Sequence, residues 1–166
     1  RGCTVTATAA PESITVARAN APHVAVIGAG LAGLVTALRL RRAGARVTLV
    51  TKGVGGLQLG HGTIDLLGYD PERVTNPAKG IEAFAAKHPE HPYAKIGVEA
   101  VRSGVELLSE ILGEKLVNGS ADENVLVPTA VGAARPTAFI PESMKAGVLH
   151  GDAKMVIIGV AQYKDF

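Results

Sequence analysis

Four apolar residues without polar alternation, Val24–Ile27, open the most informative stretch of the chain. Such a run predicts a strand buried on both faces, as in a parallel sheet. Apolar residues then recur at helical spacing over Leu31–Ala43, with arginines in the last turn and Gly44 as the expected stop. Arg46–Val50 is the second predicted strand. The order predicts a βαβ unit, which is nearly always right-handed.

Two more helices are predicted further along, a short one over Lys79–His88 and a longer one over Ala94–Gly113 with a continuous apolar face. The glycine-rich stretch Gly53–Gly68 is too irregular for a strand. Beyond Gly113 the pattern favours short strands. They are predicted at Glu114–Val117, Val125–Val127, Arg135–Ile140 and Met155–Val160.

These elements predict an α/β chain with a Rossmann-like FAD/NAD(P)-binding fold, an incomplete parallel sheet and a small β-rich insertion. Residues 1–22 are expected to be a disordered leader or a mis-assigned start. Residues 23–113 would form the flavin- or dinucleotide-binding region, and 114–166 a β-rich segment that begins the rest of the fold. A nucleotide domain has about five or six strands, so we expect the N-terminal part of a longer protein.

The turn between the first strand and the helix carries Gly28-x-Gly30-x-x-Gly33. In the dinucleotide fingerprint, the first glycine makes the tight turn, the second lets a pyrophosphate approach, and the third allows helix and strand to pack closely. The helix N-terminus offers N–H groups and a partial positive charge. The predicted phosphate-binding residues are Gly28, Ala29, Gly30, Leu31, Ala32 and Gly33.

One part of the fingerprint is missing. An acidic residue normally follows the second strand and binds the ribose, whereas this chain has Val50-Thr51-Lys52-Gly53. Thr51 could hold the ribose more weakly, Lys52 could face a 2′-phosphate, or the ligand could be a mononucleotide. The simpler alternative is that Lys52 is a solvated residue at the strand end.

Composition narrows the class of protein. The chain has 166 residues and a net charge of +2, and its lysines and arginines are scattered, so no nucleic-acid partner is predicted. The single Cys3 cannot form an internal disulfide, which fits a reducing cytosol. The uncharged run Val24–Leu38 is shorter than the roughly 20 residues of a membrane-spanning helix.

Candidate catalytic and metal-ligating residues are few. His61 lies in the glycine-rich stretch and could transfer a proton near neutral pH, although a lone histidine is more often structural. Asp65 is more simply a cap of the segment that follows it. His88 and His91 are three residues apart, but a metal site needs further ligands, so no metal is predicted.

Several stretches together resemble the flavoprotein B subunit of bacterial anaerobic glycerol-3-phosphate dehydrogenase. They are VIGAGLAGLVTALRL, VTLVTKG, GHGTIDLLGYDP, HPEHPYAKIG and Arg135-Pro136-Thr137-Ala138, and the resemblance extends over about Val24 to Phe166. Members of that family are much longer than this chain. The glycine fingerprint is shared by many flavoproteins, whereas HGTIDLL and EHPYAKIG are more particular to this group.

The resemblance implies oxidation of sn-glycerol 3-phosphate to dihydroxyacetone phosphate, with electrons passed to quinone in anaerobic respiration. It implies FMN or FAD as cofactor, with an FAD-bearing A subunit and an iron–sulfur C subunit as partners. It also implies a cytoplasmic location, peripheral at the inner face of the cell membrane. A non-catalytic interaction subunit with a degraded nucleotide site and a general FAD/NAD(P)-dependent reductase are the alternatives.

Carried over residue by residue, the resemblance places the flavin phosphate at Gly28, Gly30 and Gly33. Thr51 and Lys52 would follow the second strand. The family's glycine-rich stretch matches Gly60, His61, Gly62, Thr63 and Asp65. The isoalloxazine ring is expected near Gly60–Thr63, where His61 is the candidate catalytic residue.

Overall fold

The computed structural model describes residues 20–151 together with 154, 156, 158, 159 and 161. Cys3 and most of the expected leader therefore lie outside the described residues. Three residues of the last predicted strand, Met155, Ile157 and Val160, also lie outside the described residues. The other three residues of that predicted strand are described and are not in a strand. The chain divides into two compact units, a first unit that ends at His61 and a second unit that begins at Gly62.

The first unit contains the predicted βαβ arrangement. Strand β1 is His23–Ile27, helix α1 is Leu31–Arg42 and strand β2 is Arg46–Val50. The two strands pair in parallel, with His23 opposite Arg46 and Ile27 opposite Val50. A 3₁₀ helix, Gly55–Leu59, follows. These bounds agree with the sequence prediction because an apolar run, a glycine turn and a helix stop are all local signals.

The predicted burial of the first unit is wrong. Val26 is the one buried residue of β1, none of the twelve described residues of α1 is buried, and Ile27 is 86% exposed. Leu31 and Leu34, expected on the inward face of the helix, are also exposed. The reason is that the described part of this sheet has two strands, which with one helix cover only a fraction of their shared apolar surface.

The second unit begins its helical part with α2, Pro77–Lys87, and α3, Pro92–Leu112, which contact each other. Helix α3 is kinked at Gly97, whose backbone is not helical. Each helix starts two residues before the predicted position because proline is favoured in the first helical turn. The Asn76 side chain caps α2 by accepting a hydrogen bond from the Lys79 N–H at 3.0 Å. The predicted break between the two helices is confirmed, although it covers 88–91 only, since Pro92 is already the first residue of α3.

Three antiparallel strand pairs complete the second unit. They are β3 with β4 (Tyr69–Asp70, Glu72–Arg73), β5 with β8 (Asn118–Gly119, Phe139–Ile140) and β6 with β7 (Val125–Pro128, Ala134–Thr137). The predicted strand Arg135–Ile140 is therefore two short strands with different partners. A 3₁₀ helix, Glu142–Gly147, follows them.

The predicted strand Glu114–Val117 is wrong, because these residues form a turn at the end of α3. The N–H groups of Leu116 and Val117 both donate to the carbonyl of Gly113, at 3.1 and 3.0 Å. Backbone donors used in this way are not available for a strand ladder.

The second unit contains the well-buried core. Ile81 and Thr137 have no exposed surface, and a cluster of buried residues joins α3 to the strands. Its members are Val105, Val117, Ala121, Ala138 and Phe139, with Ile64 and Leu66 packed against it. Among the described residues, no helix is both long and apolar enough to cross a membrane.

Candidate functional site

The glycine turn between β1 and α1 has an open and a covered side. Gly28 has a φ of +104°, a conformation that side chains disfavour, and its N–H donates to the carbonyl of Val50 at 2.8 Å. Gly30 is the N-cap residue of α1, and its carbonyl accepts from the Leu34 N–H at 3.0 Å. Apart from its chain neighbours, no described heavy atom lies within 4 Å of where a Gly30 Cβ would be.

Gly33 lies where the helix passes closest to the strand end. A Cβ at this position would overlap the carbonyl oxygen of Gly28 and would be 3.7 Å from Val26 Cγ1. The first of these contacts is with backbone, which cannot move aside without distorting the turn. The third glycine of the fingerprint is therefore required here by close packing, which is the task expected of it.

Gly55, which the sequence analysis did not single out, covers the other side of the turn. A Cβ on Gly55 would lie 2.6 Å from the carbonyl oxygen of Ala29 and 2.7 Å from the amide nitrogen of Gly30. The 3₁₀ helix that begins at Gly55 thus packs against the turn, backbone on backbone. The sequence shows six glycines over Gly53–Gly68 but does not indicate which one makes this contact.

The electrostatics of the turn favour an anion. The first N–H groups of α1, at Leu31, Ala32 and Gly33, have no acceptor within the helix and add to the positive end of its dipole. The first turn, which is described completely, carries no acidic side chain. A close approach at Gly30 and several N–H donors suit the phosphate groups of a flavin nucleotide, so the residues present fit that cofactor.

The end of β2 lies beside this turn, but its side chains are used differently from the expectation. The Thr51 hydroxyl donates to the carbonyl of Gly53 and accepts from the Gly53 N–H at 3.1 Å. Both hydrogen bonds stabilise the local turn, which leaves the hydroxyl less able to hold a ribose. Lys52 is exposed.

The glycine-rich stretch is divided between the two units. Gly60 and His61 are exposed and end the first unit, and the Gly60 N–H donates to the carbonyl of Leu57 at 3.2 Å. Gly62 and Thr63 begin the second unit. There the Thr63 hydroxyl donates to Asp65 Oδ1 at 3.3 Å and accepts from Arg135 Nη2 at 3.0 Å.

Arg135 on β7 is a residue of this region that the sequence analysis did not select. Its Nη1 lies 3.3 Å from Asp65 Oδ2, so the guanidinium contacts both Thr63 and Asp65. These residues are about seventy positions apart along the chain, and no local pattern connects them. The one available signal was the resemblance of the stretch that begins at Arg135.

The two histidines between α2 and α3 belong to an aromatic cluster. The Phe84 ring lies 4.3 Å from that of His88 and 4.9 Å from that of His91. The Nδ1 of His91 accepts the Tyr93 N–H at 3.2 Å, and partial burial raises the pKa of Tyr93. In the described ranges, no group of three or more His, Cys, Asp or Glu side chains is arranged to hold a metal ion.

Three similar proteins are all named as the B subunit of an anaerobic glycerol-3-phosphate dehydrogenase. The chain is 34% identical over 144 residues to a probable B subunit from Halobacterium salinarum, covering 87% of this chain and 34% of the relative. It is 36% identical over 152 residues to the B subunit of Yersinia enterocolitica, covering 86% of this chain and 36% of the relative. It is 34% identical over 151 residues to the B subunit of Mannheimia succiniciproducens, covering 86% of this chain and 35% of the relative.

These matches confirm the resemblance to the B subunit, and the chain spans about a third of the length of the curated relatives it matches. No solved structure matches the chain. The family model described as "FAD binding domain" matches residues 23–166, from the first residue of β1 onward. Of the two flavins predicted as cofactor, FMN and FAD, this match supports FAD. It also agrees with the α/β arrangement of the chain. The chain belongs to the FAD-binding domain family.

Proposed function

We propose that this chain is the flavin-binding part of an oxidoreductase subunit that oxidises sn-glycerol 3-phosphate to dihydroxyacetone phosphate, with electrons passed to quinone in anaerobic respiration. The observation that carries the proposal is the match of 86–87% of the chain to proteins named as the B subunit of the anaerobic dehydrogenase. The open glycine turn at the positive end of α1 supports the flavin-binding part.

The residues of the turn bind the anionic part of the cofactor. The N–H groups of Leu31, Ala32 and Gly33 donate to a phosphate, while Gly28, Ala29 and Gly30 let it approach the backbone. When bound, FAD supplies the site that accepts a hydride, and the protein orients it. Thr51 and Lys52 lie beside the adenosine part.

The stretch after the 3₁₀ helix contacts the isoalloxazine in this proposal, through Gly60, Gly62 and Thr63. His61 is proposed as the group that accepts a proton from the substrate. Replacement of His61 with Gln is expected to lower kcat and to leave the flavin spectrum unchanged. An unchanged kcat would remove His61 from the mechanism.

The partners proposed for the subunit are an FAD-bearing A subunit and an iron–sulfur C subunit, and the substrate is glycerol 3-phosphate. The complex would be cytoplasmic and peripheral at the inner face of the cell membrane. Residues 23–113 would form the flavin-binding region, and 114–166 a β-rich segment that begins the rest of the fold. Co-purification with an A-type flavoprotein subunit tests the assembly directly.

The experiment that tests the function uses the full-length protein. We expect it to purify yellow, with an absorbance maximum near ~450 nm, and to release a flavin whose mass is that of FAD. Bleaching of this band by glycerol 3-phosphate, under anaerobic conditions and with the partner subunits present, is the expected activity. A protein that takes up neither FAD nor FMN after refolding would overturn the proposal.

The absence of an acidic residue in Val50-Thr51-Lys52-Gly53 favours a second candidate, an interaction subunit with a degraded nucleotide site. Gly30→Arg distinguishes the two, because its side chain would fill the open side of the turn. Loss of activity with assembly intact supports the oxidoreductase, whereas unchanged activity and assembly support the interaction subunit. Gly147→Arg is the matched control. It adds the same side chain where a Cβ also has open space, but in the second unit and away from the glycine turn in sequence.

A further inference from the structure

The glycine turn contains two peptide groups, and each of them packs against a different glycine that comes later in the chain. The first peptide group joins Gly28 to Ala29, and Gly33 of α1 lies against its carbonyl. The second joins Ala29 to Gly30, and Gly55 at the start of the 3₁₀ helix lies against it. All of these residues belong to the first unit. Two elements of one unit therefore hold the turn, each by backbone contact.

Gly55 lies over the face of the second peptide group rather than at its edge. A Cβ on Gly55 would be 2.6 Å from the Ala29 carbonyl oxygen, 2.7 Å from the Ala29 carbonyl carbon and 2.7 Å from the Gly30 nitrogen. Nearly equal distances to three atoms of one planar group place this point above the plane. Rotation of the peptide group toward this side would drive its carbonyl oxygen into the Gly55 backbone, so the packing restricts its orientation.

The orientation of this peptide group matters because it decides which partial charge the turn presents. A peptide group has a donor N–H on one side and an acceptor carbonyl on the other, and a half-turn exchanges them. A phosphate is bound by N–H groups. The Gly28 N–H already donates to the carbonyl of Val50 at 2.8 Å, which leaves the later N–H groups of the turn for a phosphate. A turn whose next peptide group keeps one orientation binds an anion with a smaller ordering cost.

Thr51 fixes the bend that leads from β2 to Gly55. Its hydroxyl donates to the carbonyl of Gly53 and accepts from the Gly53 N–H at 3.1 Å, so both hydrogen bonds are local. Gly55 follows two residues later with a φ of +69°, a backbone conformation that side chains disfavour. Both this conformation and the close contact with the turn therefore require glycine at position 55.

We propose that Gly55 is a positioning residue of the phosphate-binding turn, a fourth glycine that holds the Ala29–Gly30 peptide group in the orientation that receives the flavin phosphate. Thr51 acts one step further away, because its hydroxyl fixes the bend that carries Gly55. This inference rests on the proposed function, which places the flavin phosphate at this turn. It assigns Thr51 to the support of the turn rather than to a direct contact with the ribose.

The test compares three ligands on the full-length protein and its variants. Riboflavin has no phosphate, FMN has one, and FAD has two together with adenosine. Gly55→Ala is expected to weaken FAD and FMN binding by about tenfold or more, the size of one lost hydrogen bond to a charged group, and to leave riboflavin binding within about twofold. Fluorescence titration of flavin-free protein measures the three dissociation constants. A general loss of folding would instead weaken all three ligands together.

Two glycines of the same unit provide matched controls. Gly44 also has a positive φ, +86°, and apart from its chain neighbours no described atom lies within 4 Å of where its Cβ would be. Gly44→Ala therefore adds a comparable backbone strain without the contact. Gly56→Ala adds a methyl group to the next residue of the 3₁₀ helix, where a Cβ also has open space. Both variants are expected to keep the three dissociation constants of the original protein.

A second variant separates support of the turn from direct contact with adenosine. Thr51→Val removes the hydroxyl and is expected to weaken FAD and FMN by the same factor, about threefold, and Thr51→Ser is expected to restore both. A direct contact with the ribose would weaken FAD alone. The phosphorus-31 resonances of bound FAD are expected to shift in Gly55→Ala and to stay in place in Gly44→Ala.

The outcomes separate two failures. If the original protein takes up no flavin, the proposed function and this inference fall together. If it takes up flavin but Gly55→Ala binds FAD as tightly as the original, or weakens riboflavin as strongly as FAD, the inference is overturned and the proposed function stands. Should Gly55→Ala fail to fold, or riboflavin bind too weakly to compare, Thr51→Val decides, because a loss confined to FAD, or no loss, overturns the inference.

Discussion

The first unit and the second unit bury their apolar side chains to different extents. In the first, Ile27 is 86% exposed, Leu59 is 90% exposed and α1 has no buried residue among its twelve. In the second, Ile81 has no exposed surface and Phe139 only 4%. The glycine turn proposed to bind the flavin phosphate is nevertheless in the first unit, because this turn depends on backbone contacts rather than on a core. A turn of this kind can thus be locally specified where burial is sparse.

The largest effect that tests this comparison comes from matched truncations in the two units. Ile81→Ala removes a fully buried side chain and is expected to cost about 2–5 kcal/mol of unfolding free energy. Leu34→Ala truncates a side chain that is 36% exposed and is expected to cost about 1 kcal/mol or less. Hydrogen exchange by mass spectrometry reports on each unit separately. Equal costs would show that the apolar face of α1 is covered in the protein.

A smaller effect tests whether the turn is held by backbone contact. Gly33→Ala places a Cβ against the Gly28 carbonyl oxygen and is expected to destabilise by about 1–3 kcal/mol while weakening flavin binding. Gly104→Ala in α3 is the control, because its Cβ direction is open among the described residues and alanine favours helix by about 1 kcal/mol. Thermal unfolding and flavin titration measure both. The comparison would be contradicted if Gly33→Ala bound flavin as tightly as Gly104→Ala.

The smallest effect concerns acid stability in the second unit. The hydrogen bond and charge of Arg102 lower the pKa of Asp122 below its usual 3.8. A carboxyl with a lowered pKa in the folded state adds stability above pH 3.8, and this contribution is lost as the pH falls through the lower value. Arg102→Met is expected to weaken the dependence of the unfolding free energy on pH in this acid range. Denaturant titrations at several pH values measure that dependence. If it were the same in the variant as in the original protein, this contribution would be ruled out.

The sequence predicted best what is encoded locally. The bounds of β1, α1 and β2 follow from one apolar run, one glycine turn and one arginine-rich helix end, and they agree with the structure within about one residue. The α/β class followed from the same signals. Burial could not be predicted in this way, because it depends on which surfaces meet, and the periodicity of Leu31 and Leu34 is the same whether or not a partner covers them.

Contacts between distant residues account for the other differences. The strand Asn118–Gly119 exists because Phe139–Ile140 pairs with it, whereas the more apolar Glu114–Val117 bonds back to Gly113. The packing of Gly55 on Ala29 and the contact of Arg135 with Thr63 are likewise absent from any local pattern. The site residues from Gly60 to Thr63 stay predictions, since they depend on the resemblance.

Helix α3 contains a residue whose substitution would be easy to misjudge. Gly97 interrupts the helix with φ +76° and ψ +161°, between the first turn at Pro92 and the long apolar segment. Apart from its chain neighbours and the nearby helix backbone, no described atom lies within 4 Å of where a Gly97 Cβ would be, so a larger side chain has room but not the required backbone conformation. Alanine, the best helix former, would favour one continuous helix at this position. The aromatic cluster around His91 would then change its position relative to the rest of α3, although the new side chain itself would make no steric clash.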